Sequence, residues 1–278
     1  MRKSVLGVIL LIAVQTASAA IRYEFRQTSN SDLEGANATD CSGHAVIDGE
    51  KSRVEFTNCN AYPSGSFVLT TNGSRVLTFV NPAKKSYADV NAGAVATALG
   101  STKIVISNRK ANSVEMPDHP VIAGMPTDHI RLSLEYDITV TFGSLPLTQS
   151  VQTIIDRWTT MAFGDVAEIF LSGGALRTGN ADIDDLFAFE NAKGKGFPLK
   201  ETMRTTTINQ RAQTTKSQLT INRTVTVTRD LEVTSVRQLA SVAANTFDVP
   251  AGFHRADPLR DDTQKAPIQT LSMEPSGQ

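Results

Sequence analysis

The chain has 278 residues, with 27 Lys and Arg against 28 Asp and Glu and a formal net charge of −1. That balance, without any basic cluster, argues against nucleic acid as a partner. The length suits one large all-β domain, and beyond the N-terminus no stretch is long and apolar enough to form a membrane helix.

Arg2 and Lys3, the short apolar core at residues 5–14 and the small-residue run Ala17-Ser18-Ala19 have the form of a cleavable export signal. The apolar core is shorter than the ~20 residues that a membrane span needs. Cleavage is expected after Ala19 or Ala20, and with no Cys at that point no lipid anchor is expected there. The sequence thus predicts a signal peptide at 1–19, a single domain at 20–253, a disordered polar tail at 254–278, and a periplasmic or secreted location. Export favours pairing of the two cysteines, Cys41 and Cys59. Residues 43–47 and 53–58 read as strands around the turn Asp48-Gly49-Glu50-Lys51. Folding there sets Cys41 opposite a residue at or next to Cys59, within reach of a disulfide.

Residues 21–27 alternate apolar and polar and form a first strand, and residues 28–40 read as a loop. Residues 67–71 and 75–80 flank Asn72-Gly73, a strong hairpin signal. A turn at 81–85 leads to a strand at 86–90. Asn91 caps a predicted helix ending at Gly100, and 102–107 returns to strand. Residues 116–126, with three Pro and one Gly, form an irregular connection. A long strand follows: Ile130, Leu132, Leu134, Tyr136, Ile138, Val140 and Phe142 alternate with polar or charged residues. Successive side chains on a strand point to opposite faces, so one face is oily and the other wet, as in an antiparallel sheet. A second long strand spans 145–156 and runs into Trp158. Residues 182–191 read as a helix with Asp182, Asp184 and Asp185 in its first turn, where negative charge suits the helix dipole. Strands at 199–208, 219–228 and 231–239 complete the sheet. The expected fold is mainly β: a large antiparallel sheet of about ten strands with inserted helices.

Few residues carry readable chemistry. His119 and His129 each follow an Asp, and would form an Asp/His metal site only if the connection folded back; loop histidines are the plainer reading. The Asp182 cluster fails the calcium-loop pattern, because the sixth position is Phe187 rather than Gly. No nucleophile elbow, phosphate loop or dinucleotide pattern occurs. Asn37, Asn72 and Asn222 begin formal glycosylation sequons, read here as chance. Trp158 is either a half-buried core residue or part of a cavity mouth. No metal, cofactor or catalytic residue is expected.

The Asn72-Gly73 hairpin, the strand–turn–strand at 76–87, the connection with Ile122-Ala-Gly124-Met-Pro126, the long strand pair, Trp158, the helix and the closing Phe247-Asp-Val-Pro250-Ala-Gly252-Phe253 together resemble exported bacterial proteins with a sheet of the lipoprotein-localisation carrier (LolA/LolB) type. That resemblance implies a curved half-barrel, helices across its concave face, and an apolar cavity for acyl chains. The expected function is an exported, non-enzymatic binding protein for a lipid or other hydrophobic ligand. The predicted cavity face is Ile130, Leu132, Leu134, Tyr136, Ile138, Val140, Phe142 and Trp158. The alternative is a cell-envelope structural or protein-interaction module with a filled core and no ligand.

Overall fold

The structure, a computed structural model, describes residues 20–71, 76–91, 102–142, 145–163, 179–193, 196–209, 212–213, 218–219 and 224–256. The predicted signal peptide, the helix at 92–100 and the Asn72-Gly73 turn lie outside them. The strands are β1 (Ala20–Ser31), β2 (Thr39–Asp48), β3 (Lys51–Cys59), β4 (Phe67–Thr71), β5 (Val76–Asn81), β6 (Ser86–Asn91), β7 (Lys103–Glu115), β8 (Val121–Ile122), β9 (Met125–Pro126), β10 (Asp128–Phe142), β11 (Leu145–Thr160), β12 (Phe197–Asn209), β13 (Ala212–Gln213), β14 (Gln218–Leu219), β15 (Thr224–Leu239) and β16 (His254–Arg255); the helix α1 is Ala181–Lys193. Twelve strands form one open sheet in the order β16-β6-β5-β4-β3-β2-β1-β15-β12-β11-β10-β7. Neighbours are antiparallel except β16, which runs parallel to β6. The mainly-β, open antiparallel architecture is as expected.

The differences from expectation are mostly extensions. Twelve strands replace about ten. β7 continues eight residues past Ser107 through a polar run, because β10 supplies a ladder there as far as Ile130↔Glu115. Asn108, with φ 53°, lies at the irregularity in that pairing and donates its side-chain N–H to Asp137. The two strands predicted near the C-terminus are largely one, β15, held between β1 and β12. The domain also runs on past Phe253: the backbone N–H of Ala256 bonds the Tyr87 carbonyl at 2.7 Å.

Directly paired residues share a face, so the register defines a core face. Across it run Ile21, Tyr23 and Phe25 of β1, Ala45 and Ile47 of β2, and Val54 and Phe56 of β3, with Leu231 and Val233 of β15 and Leu199 of β12. All are buried, and the rings of Tyr23 and Phe197 meet edge to face at 5.4 Å. β4 is covered on its other face too: Phe67 and Leu69, with Val80, pack against Val249 and Phe253 of the returning chain. The Arg53 guanidinium lies 3.7 Å over the Phe67 ring.

Cys41 and Cys59 are direct partners across β2 and β3, and their sulfurs are bonded. Closing this short loop restricts the unfolded chain, so Cys41→Ser with Cys59→Ser is expected to lower unfolding free energy by about 3 kcal/mol, read from urea titration. Gly43, at the irregularity in the β2–β3 register, leaves no room for a side chain: an added Cβ would lie 2.0 Å from the Glu55 carbonyl oxygen and 3.1 Å from the Phe25 ring. Gly43→Ala is therefore expected to destabilise by about 1–3 kcal/mol or more in the same assay, through the backbone shift it forces.

Candidate functional site

The even-numbered residues of β10 form one row on the core face. Leu132, Leu134 and Val140 are buried, while Ile130, Tyr136 and Ile138 are half-buried. Phe142 ends the strand, in register with Leu145. β11 extends this face with Val151 and Ile155, and β12 adds Met203; Leu132, Leu134, Ile155 and Met203 make a small apolar cluster separate from the main core. Trp158 does not join it. β11 pairs without interruption, so Trp158, opposite His129, lies on the reverse face from Ile155, opposite Leu132. Placing Trp158 on the cavity face is corrected by this parity.

On the reverse face the connection between β7 and β10 does fold back. It brings Asp118 to the Nδ1 of His129, while His119 Nδ1 lies 3.4 Å from Asp128. The other ring nitrogen of buried His129, Nε2, is 3.0 Å from Asp156, and the ring stacks on Trp158 with centroids 4.1 Å apart. The indole N–H of Trp158 donates to Asp118 at 3.2 Å. Arg131 donates through Nε and Nη2 to the two oxygens of Asp156, at 2.8 and 3.0 Å. Both imidazole nitrogens are thus engaged by carboxylates, which leaves neither free to serve as a general base. The group is a clip that fastens the connection to the sheet. Among the described residues no cluster of three or more His, Cys, Asp or Glu could hold a metal.

The core face carries a group that alternation in the sequence could have revealed. Arg157 stands two places beyond Ile155 and is therefore inward; Glu201 is its cross-strand partner. Arg157 Nε donates to Glu201 at 2.7 Å, and the Arg229 guanidinium bonds the other carboxylate oxygen. Side-chain exposures are 3% for Arg157, 1% for Glu201 and 25% for Arg229. The Nε of Arg229 is buried without a hydrogen-bond partner among the described residues. A further cleft, lined in part by Phe56, Tyr62, Phe79 and Tyr87, lies among β3 to β6, far from this group in the strand order.

The clip responds to acid. Hydrogen bonds from His129 and then Trp158 hold the Asp118 carboxyl below its ordinary range. Burial pushes Asp156 up, but the Arg131 fork and His129 outweigh it and leave it depressed as well. A carboxyl depressed in the folded state contributes stability above its unfolded value and loses it as pH falls toward the folded value. Thermal unfolding followed from pH 7 to pH 3 should therefore drop most steeply below about pH 4. Asp118→Asn should show lower stability at pH 7 and a shallower acid loss.

No family model matches the chain, and no curated protein matches it in sequence. Solved structures do. An uncharacterised conserved protein from Thermus thermophilus aligns over 86% of this chain and 91% of its own, at 9% identity and a TM-score of 0.33. The chain is similar in the same way to a LolA superfamily protein from Nitrosomonas europaea, over 83% of this chain and 90% of that one, at 9% identity and a TM-score of 0.31.

Proposed function

We propose that the protein is an exported, non-enzymatic carrier of a hydrophobic ligand, held against the core face of β10 to β12. The observation that supports this reading is the continuous apolar surface of Ile130, Leu132, Leu134, Tyr136 and Ile138, carried onto Ile155 and Met203 and set apart from the main core. Such a surface takes a lipid or similar molecule by burial, at roughly 25 cal/mol per Å2 of apolar area. The disulfide fits an oxidising compartment outside the cytoplasm. Among the described residues no helix is long and apolar enough to cross a membrane.

A second reading has its own support. Leu132 and Ile155 have 0% exposure, which favours a filled core and an envelope module that works through its rim. Native mass spectrometry of protein purified without detergent separates the two. The carrier reading expects extra mass that organic extraction removes. Ile138→Glu, at a half-buried position, should yield folded protein without that mass. A bare wild-type mass supports the filled-core module.

A further inference from the structure

The carrier reading leaves open what kind of hydrophobic molecule is held, and the charges on the core face address that question. By register, Asp128 stands at the exposed start of β10. Apart from it, Arg157, Glu201 and Arg229 are the only charged residues among the described core-facing positions of β10, β11, β12, β15 and β1. Burying such groups in an apolar surface is costly, and hydrophobic side chains of similar volume usually serve stability as well or better. A face that bound only hydrocarbon would gain nothing from them. Here one carboxylate is shared between two guanidinium groups, and the outer one, on Arg229, keeps a buried N–H donor with no acceptor among the described residues.

The position of Arg229 is specific. It is the direct partner of Met203, Met203 of Ile155, and Ile155 of Leu132. These four side chains therefore lie in a single line across four adjacent strands, a cation at one end and three apolar groups after it. At ~4.8 Å per strand the line is about 14 Å long. It is one side chain wide at β11 and β12: the next row on one side holds Arg157 and Glu201, and on the other Thr153 and Thr205.

We propose that this line binds a free long-chain fatty acid, its carboxylate on the guanidinium of Arg229 and its single chain along Met203, Ile155 and Leu132. The inference rests on the carrier reading and deepens it. The buried Arg229 N–H, without an acceptor among the described residues, matches one acidic headgroup, and the narrow apolar row matches one chain rather than two. Ile155 and Leu132 have no exposure in this structure, so binding requires this part of the face to open, while Arg229 is already partly exposed.

The test is competition binding on delipidated wild-type protein with a fluorescent fatty acid as probe, displaced by oleate, methyl oleate or phosphatidylglycerol. Oleate is expected to displace the probe at least about tenfold better than its uncharged ester, the scale of one charge-assisted hydrogen bond. Arg229→Gln should erase that preference while leaving methyl oleate unchanged, and Arg229→Lys should restore most of it. Circular dichroism and thermal melting check that both variants fold, and Glu201 keeps Arg157 as its partner in each. Equal competition by oleate and its ester, or a preference that survives in Arg229→Gln, overturns the assignment while leaving a hydrophobic carrier standing. Stronger competition by phosphatidylglycerol than by oleate also overturns it, in favour of a phospholipid. Failure to bind probe at all overturns both this inference and the carrier reading.

Discussion

The uninterrupted pairing of β10 with β11 is the constraint on which the rest of the molecule depends. Fifteen consecutive cross-strand pairs, from Asp128↔Thr159 to Phe142↔Leu145, fix which side chains share a face. A slip of one residue would exchange the faces, sending Leu132 and Leu134 to water and the Asp156 and His129 group into the core. The apolar row and the charged clip hold this register from opposite sides. Leu132 against Ile155 makes the slip expensive on one face; Arg131 and His129 on Asp156 make it expensive on the other.

A wide open sheet leaves two edges with unpaired backbone groups, and both are handled by return of the chain. At one end β16 adds to β6, and Val249 and Phe253 cover the reverse face of β4 and β5. At the other, the start of α1 reaches the free side of β7. Asn180 caps the helix by accepting the Ile183 N–H at 3.2 Å. Its amide N–H also donates to the Ile104 carbonyl, and Asp182 accepts the Ile106 N–H. Asp182 thus serves the strand edge and the Arg109 guanidinium rather than acting only as a charge on the helix dipole. Side chains here replace a missing strand, one way that exposed edges are blunted.

The His129 clip and the Arg157, Glu201 and Arg229 group differ in kind. The clip on the reverse face is a set of mutually satisfied pairs around His129, and its role is to fasten the 116–127 connection. Arg157, Glu201 and Arg229 stand instead between the main core and the small apolar cluster, where Glu201 has almost no exposure. Removing Glu201 there would take the carboxylate away from the buried Arg157 guanidinium, the expensive case for an ion pair. That asymmetry makes the row of Arg229, Met203, Ile155 and Leu132 a more informative surface than alternation alone conveys.

What the sequence determined was local: the strands whose side chains alternate, the oily and wet faces of β10, the Cys41–Cys59 pairing, and a helix near residue 182. Each depends on chain neighbours, so period and turn chemistry suffice. Even the inward direction of Arg157 was present in the parity of β11. Tertiary structure decided the rest. It extended β7 through polar residues because β10 offered partners. It drew His254 and Arg255 into the sheet through β6, and moved Trp158 off the apolar face through the register with His129. It also joined Asp118 to His129, Arg157 to Glu201, and Glu201 to Arg229, across separations of 11, 44 and 28 residues. Those contacts depend on which strands become neighbours, and the order β1-β15-β12-β11-β10 is set by burial over the whole sheet, which no local pattern encodes.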